Sequence, residues 1–332
     1  MSDRWSGLNV VITGGLGFIG SNLAIRLMTL GANVTVVDLP EPRCAGHVGN
    51  LAPVLDERAV IRADLAQPGA WDNAIIDADV VFHLAAQVSH SASMTDPIQD
   101  LSQNCATLLN VLSAAQRSAR SPKILFTSTR QVYGRATALP LREDHVREPT
   151  DINGVHKLAA EEYLRIFRDC FGVRSTVVRL TNTYGPRMDF RSPGRGALNV
   201  FLARAVRGER IDIFGDGQQR RDILHVDDVV DALTSVALLH DPGPFHLGQP
   251  QPTSLREFLD CLNRIVPIEI HEQPFPPDLK TIDIGDSHCD ASKLAALTRW
   301  APRIALAEGL AQTVDWIRSA PHALGDKSQK PR

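Results

Sequence analysis

The chain has 332 residues, 43% hydrophobic and 22% charged, with a formal net charge of −3. That length allows a large core and two domains, and the near-neutral balance argues against a basic nucleic-acid or membrane-surface face. No apolar run approaches the ~20 residues that span a bilayer, and no basic segment followed by an apolar run opens the chain.

The first predicted strand, 8–12, leads into Gly14, Gly17 and Gly20 at G-x-x-G-x-x-G spacing and a helix over 18–30. One glycine allows the tight turn, the next lets a pyrophosphate approach the backbone, and the last lets helix and strand pack closely. The positive helix end then favours phosphate. A second strand, 33–37, ends at Asp38, whose carboxylate suits the hydroxyls of an adenosine ribose. The glycine triplet alone is a weak signal; strand, loop, helix and acid in this order make it specific.

Further strands are predicted at 59–62, 79–83, 122–127 and 173–179, and helices at 68–76, 98–118 and 153–171. This alternation specifies an α/β fold, a parallel sheet with helices on both faces. Ligands bind such sheets at the carboxyl ends of the strands. There stand Asp64-Leu65, suited to an adenine ring, Leu84-Ala85-Ala86, small enough for a cofactor to lie close, and Thr127-Ser128-Thr129, which offer hydroxyls. Each alone is more often a capped strand end; their recurrence after successive strands points to function. The scattered cysteines, Cys44, Cys105, Cys170, Cys261 and Cys289, read as reduced thiols of a cytoplasmic protein, with no metal or disulfide pattern.

The second half is less regular and rich in proline, and reads as a substrate domain. It contains a strand at 211–214 before the Gly215-Asp216-Gly217 turn, a helix from Val226 through Leu239 and a last helix at 306–317. Asp227 and Asp228 suit the start of their helix. The loop 187–196 is rich in arginine and glycine, and its arginines either close on a diphosphate or remain solvated. The polar tail from His322 is expected to fray.

With these motifs in place, the chain resembles an extended short-chain dehydrogenase/reductase of the nucleotide-sugar epimerase/dehydratase family. The resemblance runs from about residue 8 to about residue 318. It rests on Thr13–Gly20, His83-Leu84-Ala85-Ala86, Val132-Tyr133-Gly134, Lys157–Glu161, Arg179–Arg187, and Gly215-Asp216-Gly217 through Arg221-Asp222 to Asp228. It implies a Rossmann-type doubly wound sheet over 1–180 and a smaller C-terminal α/β substrate domain over 181–320, with possible crossing back to the first, and a tail at 321–332. It implies NAD bound by Gly14, Gly17, Phe18, Ile19, Gly20, Asp38, Asp64, Leu65, Leu84, Ala85, Ala86, Asn104 and Lys157. Asp38 favours NAD over NADP, since a carboxylate repels a 2′-phosphate, although Arg43 stands close in sequence. A nucleotide-diphosphate sugar is the implied substrate, touched by Ser93, Asn182 and Arg221. A homodimer through a four-helix bundle, built from the helices at 98–118 and 153–171, is also implied.

In that family a serine or threonine binds the reacting hydroxyl, a tyrosine takes its proton, and a lysine four residues later lowers the tyrosine pKa and holds the nicotinamide ribose. Thr129 and Lys157 match. Four residues before Lys157, however, stands Asn153. An amide binds a hydroxyl but does not titrate, and losing one acid/base group costs about 10²–10⁴-fold. Three readings follow. Another group takes the proton, Lys157 being the nearest and His156, His90 and Tyr133 the others; or the substrate needs no strong base here; or the protein binds without turnover. Tyr133 reads as structural, and His156 as an exposed helical residue facing away from Lys157.

A second departure follows Thr129. The family's 4,6-dehydratases carry Asp-Glu there, and its decarboxylases a glutamate nearby; this chain has Arg130 and Gln131. Epimerisation, which needs no such carboxylates, fits best. Arg130 reads either as a contact to a sugar carboxylate or as an exposed arginine. The expectation is thus an NAD-dependent epimerase acting at C4, with catalytic Thr129, Lys157 and Asn153 and an altered acid/base. Its alternatives are another oxidoreductive step on an activated sugar and a non-catalytic binder of NAD and nucleotide sugar.

Overall fold

The computed structural model describes residues 2–40, 43, 44, 46–51, 59–191, 196–277, 280, 283–320 and 322–324. Runs of β-branched residues form β1 (Asn9–Thr13), β2 (Asn33–Asp38), β3 (Val60–Arg62), β4 (Val80–His83), β5 (Lys123–Thr129) and β6 (Ser175–Leu180). With β11 (Phe245–His246) they make one sheet in the order β11-β6-β5-β4-β1-β2-β3. Every pair in it is parallel, with Val11 opposite Thr35 and Val81 opposite Ile124 in register.

Strand alternation divides the core between the two faces. Val10, Ile12 and Val36 join Leu23 and Leu27 of α1 (Phe18–Thr29) on one face. Val11, Val37 and Phe126 join α5 (Thr107–Arg117) and α6 (Ile152–Phe171) on the other, through Leu108, Leu112 and Leu164. Between β1 and α6 also lie α2 (Trp71–Ile76), α3 (His90–Thr95) and α4 (Pro97–Leu101). The predicted single helix over 98–118 is divided: a π turn, Ser102–Ala106, separates α4 from α5. In that widened turn the Asn104 amide donates to the carbonyls of Asp100 and Gln87, both at 3.2 Å, tying the helix to the loop after β4.

A second core gathers α7 (Ala197–Arg207), β8 (Ile211–Phe214), α9 (Leu255–Asn263) and α10 (Leu306–Ser319) around Leu202, Ile211, Phe258 and Leu310. The chain does not part cleanly into halves. After β7 (Asn182–Tyr184), β9 (Arg220–Arg221) and β10 (Ile223–His225), helix α8 (Val226–Val236) returns to the first core, with Val229 and Leu233 beside Leu23. β11 then closes the β6 edge. Asp228 fixes this return, accepting the backbone N–H groups of Arg303 at 2.9 Å and Ile304 at 3.1 Å. The tail differs from expectation. Through Leu324 it is packed, with Ala323 buried in the second core, the His322 ring stacked 4.6 Å from His47, and Arg207 Nη2 donating to the Leu324 carbonyl at 2.9 Å. Residues 192–195 of the arginine-rich loop and 325–332 of the tail lie outside the described residues.

Candidate active site

The glycine loop joins β1 to α1. Gly14 takes φ +70°, a left-handed conformation, and a Cβ there would stand 2.8 Å from the Ala85 nitrogen. A Cβ on Gly20 would lie 2.3 Å from the Gly14 oxygen, whereas one on Gly17 would meet only that same oxygen, at 3.2 Å. Gly20 therefore serves helix–strand packing, and Gly17 leaves an open approach. Gly17 is the N-cap of α1, no side chain caps the helix and its first turn has no acid, so the positive helix end, beginning at Phe18 and Ile19, is open to an anion.

Asp38 ends β2 beside this loop. Its Oδ2 accepts the Leu16 N–H at 2.9 Å and its Oδ1 the Leu39 N–H at 2.8 Å; burial raises its pKa despite these bonds. Asp64 Oδ1 accepts the Ala66 N–H at 3.0 Å and Oδ2 pairs with Arg43 Nη1 at 2.8 Å, so Arg43 is directed at Asp64. Leu65 is buried, its carbonyl held by the Asn110 amide at 2.8 Å. Beyond β4 the backbone of Leu84 and Ala85 is fastened to Thr13, at 3.1 Å to its carbonyl and 3.2 Å to its hydroxyl, and leads on through Ala86 and Gln87. A cleft of about 120 Å³ opens between the two cores, lined among others by Gly17, Phe18, Val88, Arg187 and Trp316. An uncapped helix end, a side-chain-free approach and a carboxylate at the next strand end fit a dinucleotide.

At the carboxyl end of β5, Thr129 Oγ1 accepts the Gln131 N–H at 3.2 Å, and among the described residues no acceptor takes its own proton. Lys157, on α6, is 6% exposed; its Nζ donates to the Thr127 carbonyl at 3.0 Å and lies 4.7 Å over the Phe126 ring. Burial pulls it down to about 8, with Asp100, Cys105 and Glu161 acting in the opposite sense. His83 faces it, held down to about 3 by burial and by the lysine charge, so its ring is neutral.

Asn153 lies one turn before Lys157 and is buried. Its Nδ2 donates to the Gln87 carbonyl at 2.9 Å and to Asp100 Oδ2 at 3.2 Å, so both amide hydrogens are engaged. Its backbone N–H donates to Ser93 Oγ at 3.1 Å, and that hydroxyl donates to the His90 carbonyl at 2.7 Å. Ser93, expected to touch the sugar, is therefore fully buried and spent beneath Asn153. His156 is also not the exposed residue expected. Its side chain is 13% exposed and its Nδ1 stands 2.7 Å from the buried Asp100 carboxylate. It does point away from Lys157, but toward α4, which helical periodicity cannot foresee. Asp151 caps α6, its Oδ1 accepting the Gly154 N–H at 2.7 Å, and its Oδ2 accepts Gln131 Nε2 at 3.0 Å. His90 Nδ1 stands 3.0 Å from that same Oδ2. Asp100 and Asp151 were not singled out from the sequence, where each reads only as a helix-start acid.

On the substrate side Arg130 Nη2 donates to Asn182 Oδ1 at 2.7 Å, and Arg130 is not the exposed arginine of the alternative reading; burial lowers its pKa. Arg221 is 7% exposed, donates to the Arg220 carbonyl at 2.9 Å and to Gln219 Oε1 at 3.2 Å, and is pulled to about 10 by burial and by Arg130. The structure thus brings Arg130, Asn182 and Arg221 together. Tyr133 is structural, its hydroxyl 2.7 Å from His246 Nε2 and bonded by Arg179, which pairs with Glu161. Among the described residues no group of side chains forms a metal site, and no helix is long and apolar enough to cross a membrane.

The model of the NAD dependent epimerase/dehydratase family matches residues 10–247. The UDP-glucose 4-epimerase of Mycolicibacterium smegmatis is 32% identical over 317 residues, covering 94% of this chain and 99% of that protein. UDP-glucuronic acid decarboxylase 1 of Danio rerio is 32% identical over 317 residues, covering 93% of this chain and 72% of that protein. Among solved structures, the UDP-N-acetylglucosamine 4-epimerase of Methanobrevibacter ruminantium M1, in complex with UDP-N-acetylmuramic acid, superposes with a TM-score of 0.87. It is 28% identical and covers 95% of this chain and 99% of that one.

Proposed function

The chain belongs to the NAD dependent epimerase/dehydratase family, and within it we propose a nucleotide-sugar epimerase acting at C4 of a nucleoside-diphosphate hexose. As a member it is an NAD-dependent enzyme. Bound NAD supplies the hydride acceptor and donor.

The observation that carries the C4 reading is the end of β5. Thr129 presents a free hydroxyl proton, yet the two residues after it are no carboxylates and are engaged elsewhere, Arg130 on Asn182 and Gln131 on Asp151. Eliminating water from the ring needs an acid and a base at that point; removing and returning a hydride does not. Thr129 and the amide oxygen of Asn153 orient the reacting hydroxyl, and Asn153 does not take its proton. Lys157, largely protonated at neutral pH, places a positive charge on the nicotinamide ribose side. Asn182, Arg130 and Arg221 receive the diphosphate sugar. Arg130 has no carboxylate partner among the described residues, which favours, as a second reading, a sugar that itself bears a carboxylate.

A homodimer accompanies this reading. Ile98 and Leu101 of α4 are 73% and 42% exposed, and Val155 and Ile166, three turns apart on α6, are 46% and 40% exposed.

The test is NMR of the protein with NAD and UDP-glucose, UDP-N-acetylglucosamine or UDP-glucuronic acid in deuterated water. A new sugar resonance set without net NADH, and without deuterium on carbon, is the expected result. Deuterium at C3 or C5 would point to enolisation, and no change in any sugar while NAD binds would end the enzymatic reading for this panel.

A further inference from the structure

Resting on that reading, we propose that His90, which stands beside the Asp151 carboxylate, is the proton acceptor and donor of the reaction, doing from α3 what Asn153 cannot do from α6. Oxidation of a carbinol releases a proton as well as a hydride. Neither an amide nor a threonine hydroxyl takes it near neutral pH. Lys157 is already donating to the Thr127 carbonyl and carries its own proton below about pH 8.

Four other titratable side chains surround Asn153. Asp100 is fully buried and occupied by Asn153 and His156, and His156 is turned onto it with 13% of its side chain exposed. The Asp151 side chain is fully buried. His90 alone of the four reaches open space, its side chain 38% exposed while Nδ1 rests 3.0 Å from Asp151 Oδ2.

The surroundings tie this ring to the reacting end. Gln87, three residues before it, holds the Asn153 amide, and Ser93, three residues after it, holds the Asn153 backbone. Val88 lines the cleft together with Gly17 and Phe18. Gln131 bridges the two ends, its backbone N–H on Thr129 Oγ1 at 3.2 Å and its side-chain amide on Asp151 Oδ2 at 3.0 Å, and His90 Nδ1 stands 3.0 Å from that same carboxylate oxygen. Burial alone would raise Asp151, but the contact and charge of His90, the Gly154 N–H and the Gln131 amide more than offset it and hold the carboxyl below its ordinary range. An ionised carboxylate 3.0 Å from Nδ1 stabilises the imidazolium that forms.

The step balances. The hydroxyl O–H bond breaks and its proton passes to His90 Nε2 as the carbinol carbon gives up its hydride to NAD, leaving a ketone. The imidazolium returns the proton to the carbonyl oxygen when hydride comes back to the opposite face.

The test uses the full chain, NAD and the sugar of the panel that turns over. His90→Ala is expected to lower kcat by about 10²–10⁴-fold with little change in KM or NAD affinity. Added imidazole, entering the vacated space, is expected to restore part of kcat, which no purely structural role predicts. Unchanged kcat in His90→Ala would overturn the assignment, and so would a loss that imidazole does not relieve while NAD still binds. Absence of turnover in the unaltered protein would instead sink the epimerase reading, and this assignment with it.

Discussion

The Asn153 amide is held by the carboxylate of Asp100, which comes from a different helix and lies 3.2 Å from Nδ2. Both amide hydrogens point at acceptors, so the oxygen is what Asn153 offers to a ligand. Asp100 also meets His156 at 2.7 Å with no exposure of its own. Removing it strands two buried polar partners. Asp100→Ala is expected to destabilise the fold by about 3 kcal/mol, read as a lowered urea midpoint, and Asp100→Asn by less.

The glycines of the loop separate fold from ligand. Gly17→Ala meets only the Gly14 oxygen at 3.2 Å, and Gly20→Ala would place its Cβ 2.3 Å from it. Gly20→Ala is therefore expected to lower the melting temperature, by overpacking worth about 1–3 kcal/mol. Gly17→Ala is expected to melt near the unaltered protein but to lose most of the stabilisation that saturating NAD confers. Thermal shift with and without NAD checks both.

Lys157 makes stability depend on pH in one direction. Burial holds it at about 8 in the folded protein against an ordinary 10.5. Between these values the unfolded chain binds more protons, so stability rises as pH climbs, and the cost is complete below about pH 8. Lys123, also held at about 8 by burial, acts in the same sense. Denaturant midpoints at about pH 7 and about pH 9.5 are expected to show a smaller rise in Lys157→Met than in the unaltered protein.

The exposed face of α4 and α6 predicts an assembly. Ile98→Glu combined with Val155→Lys places charge on two residues that are 73% and 46% exposed in the single chain. The pair is expected to convert a dimer to a monomer in light scattering, with the monomer's fold intact by circular dichroism.

The sheet was legible because periodicity and turn residues are local signals. Strands predicted at 33–37 and 79–83 are found at Asn33–Asp38 and Val80–His83, and the helix predicted at 153–171 at Ile152–Phe171. What was not legible depends on partners far along the chain. The burial of His156 is not legible because Asp100, 56 residues earlier, is brought to it by the packing of α4 on α6. Nothing in the segment around Ser93 shows that its hydroxyl accepts the Asn153 backbone N–H. The π turn escaped notice because its sequence, Ser102–Ala106, carries no breaker.

The return of the chain to the first core has a consequence for how the protein can be divided. β6 would be an open edge if synthesis stopped near residue 180, since the strand that covers it, Phe245–His246, comes from the second half. The face of α1 that receives Val229 and Leu233 would be bare as well. A fragment ending there presents unpaired backbone and apolar surface together, the combination that drives edge-to-edge aggregation. The nucleotide-binding half is thus no portable module. Its sheet edge is covered by residues translated after it, so a nascent chain must wait for Phe245 before its sheet is finished.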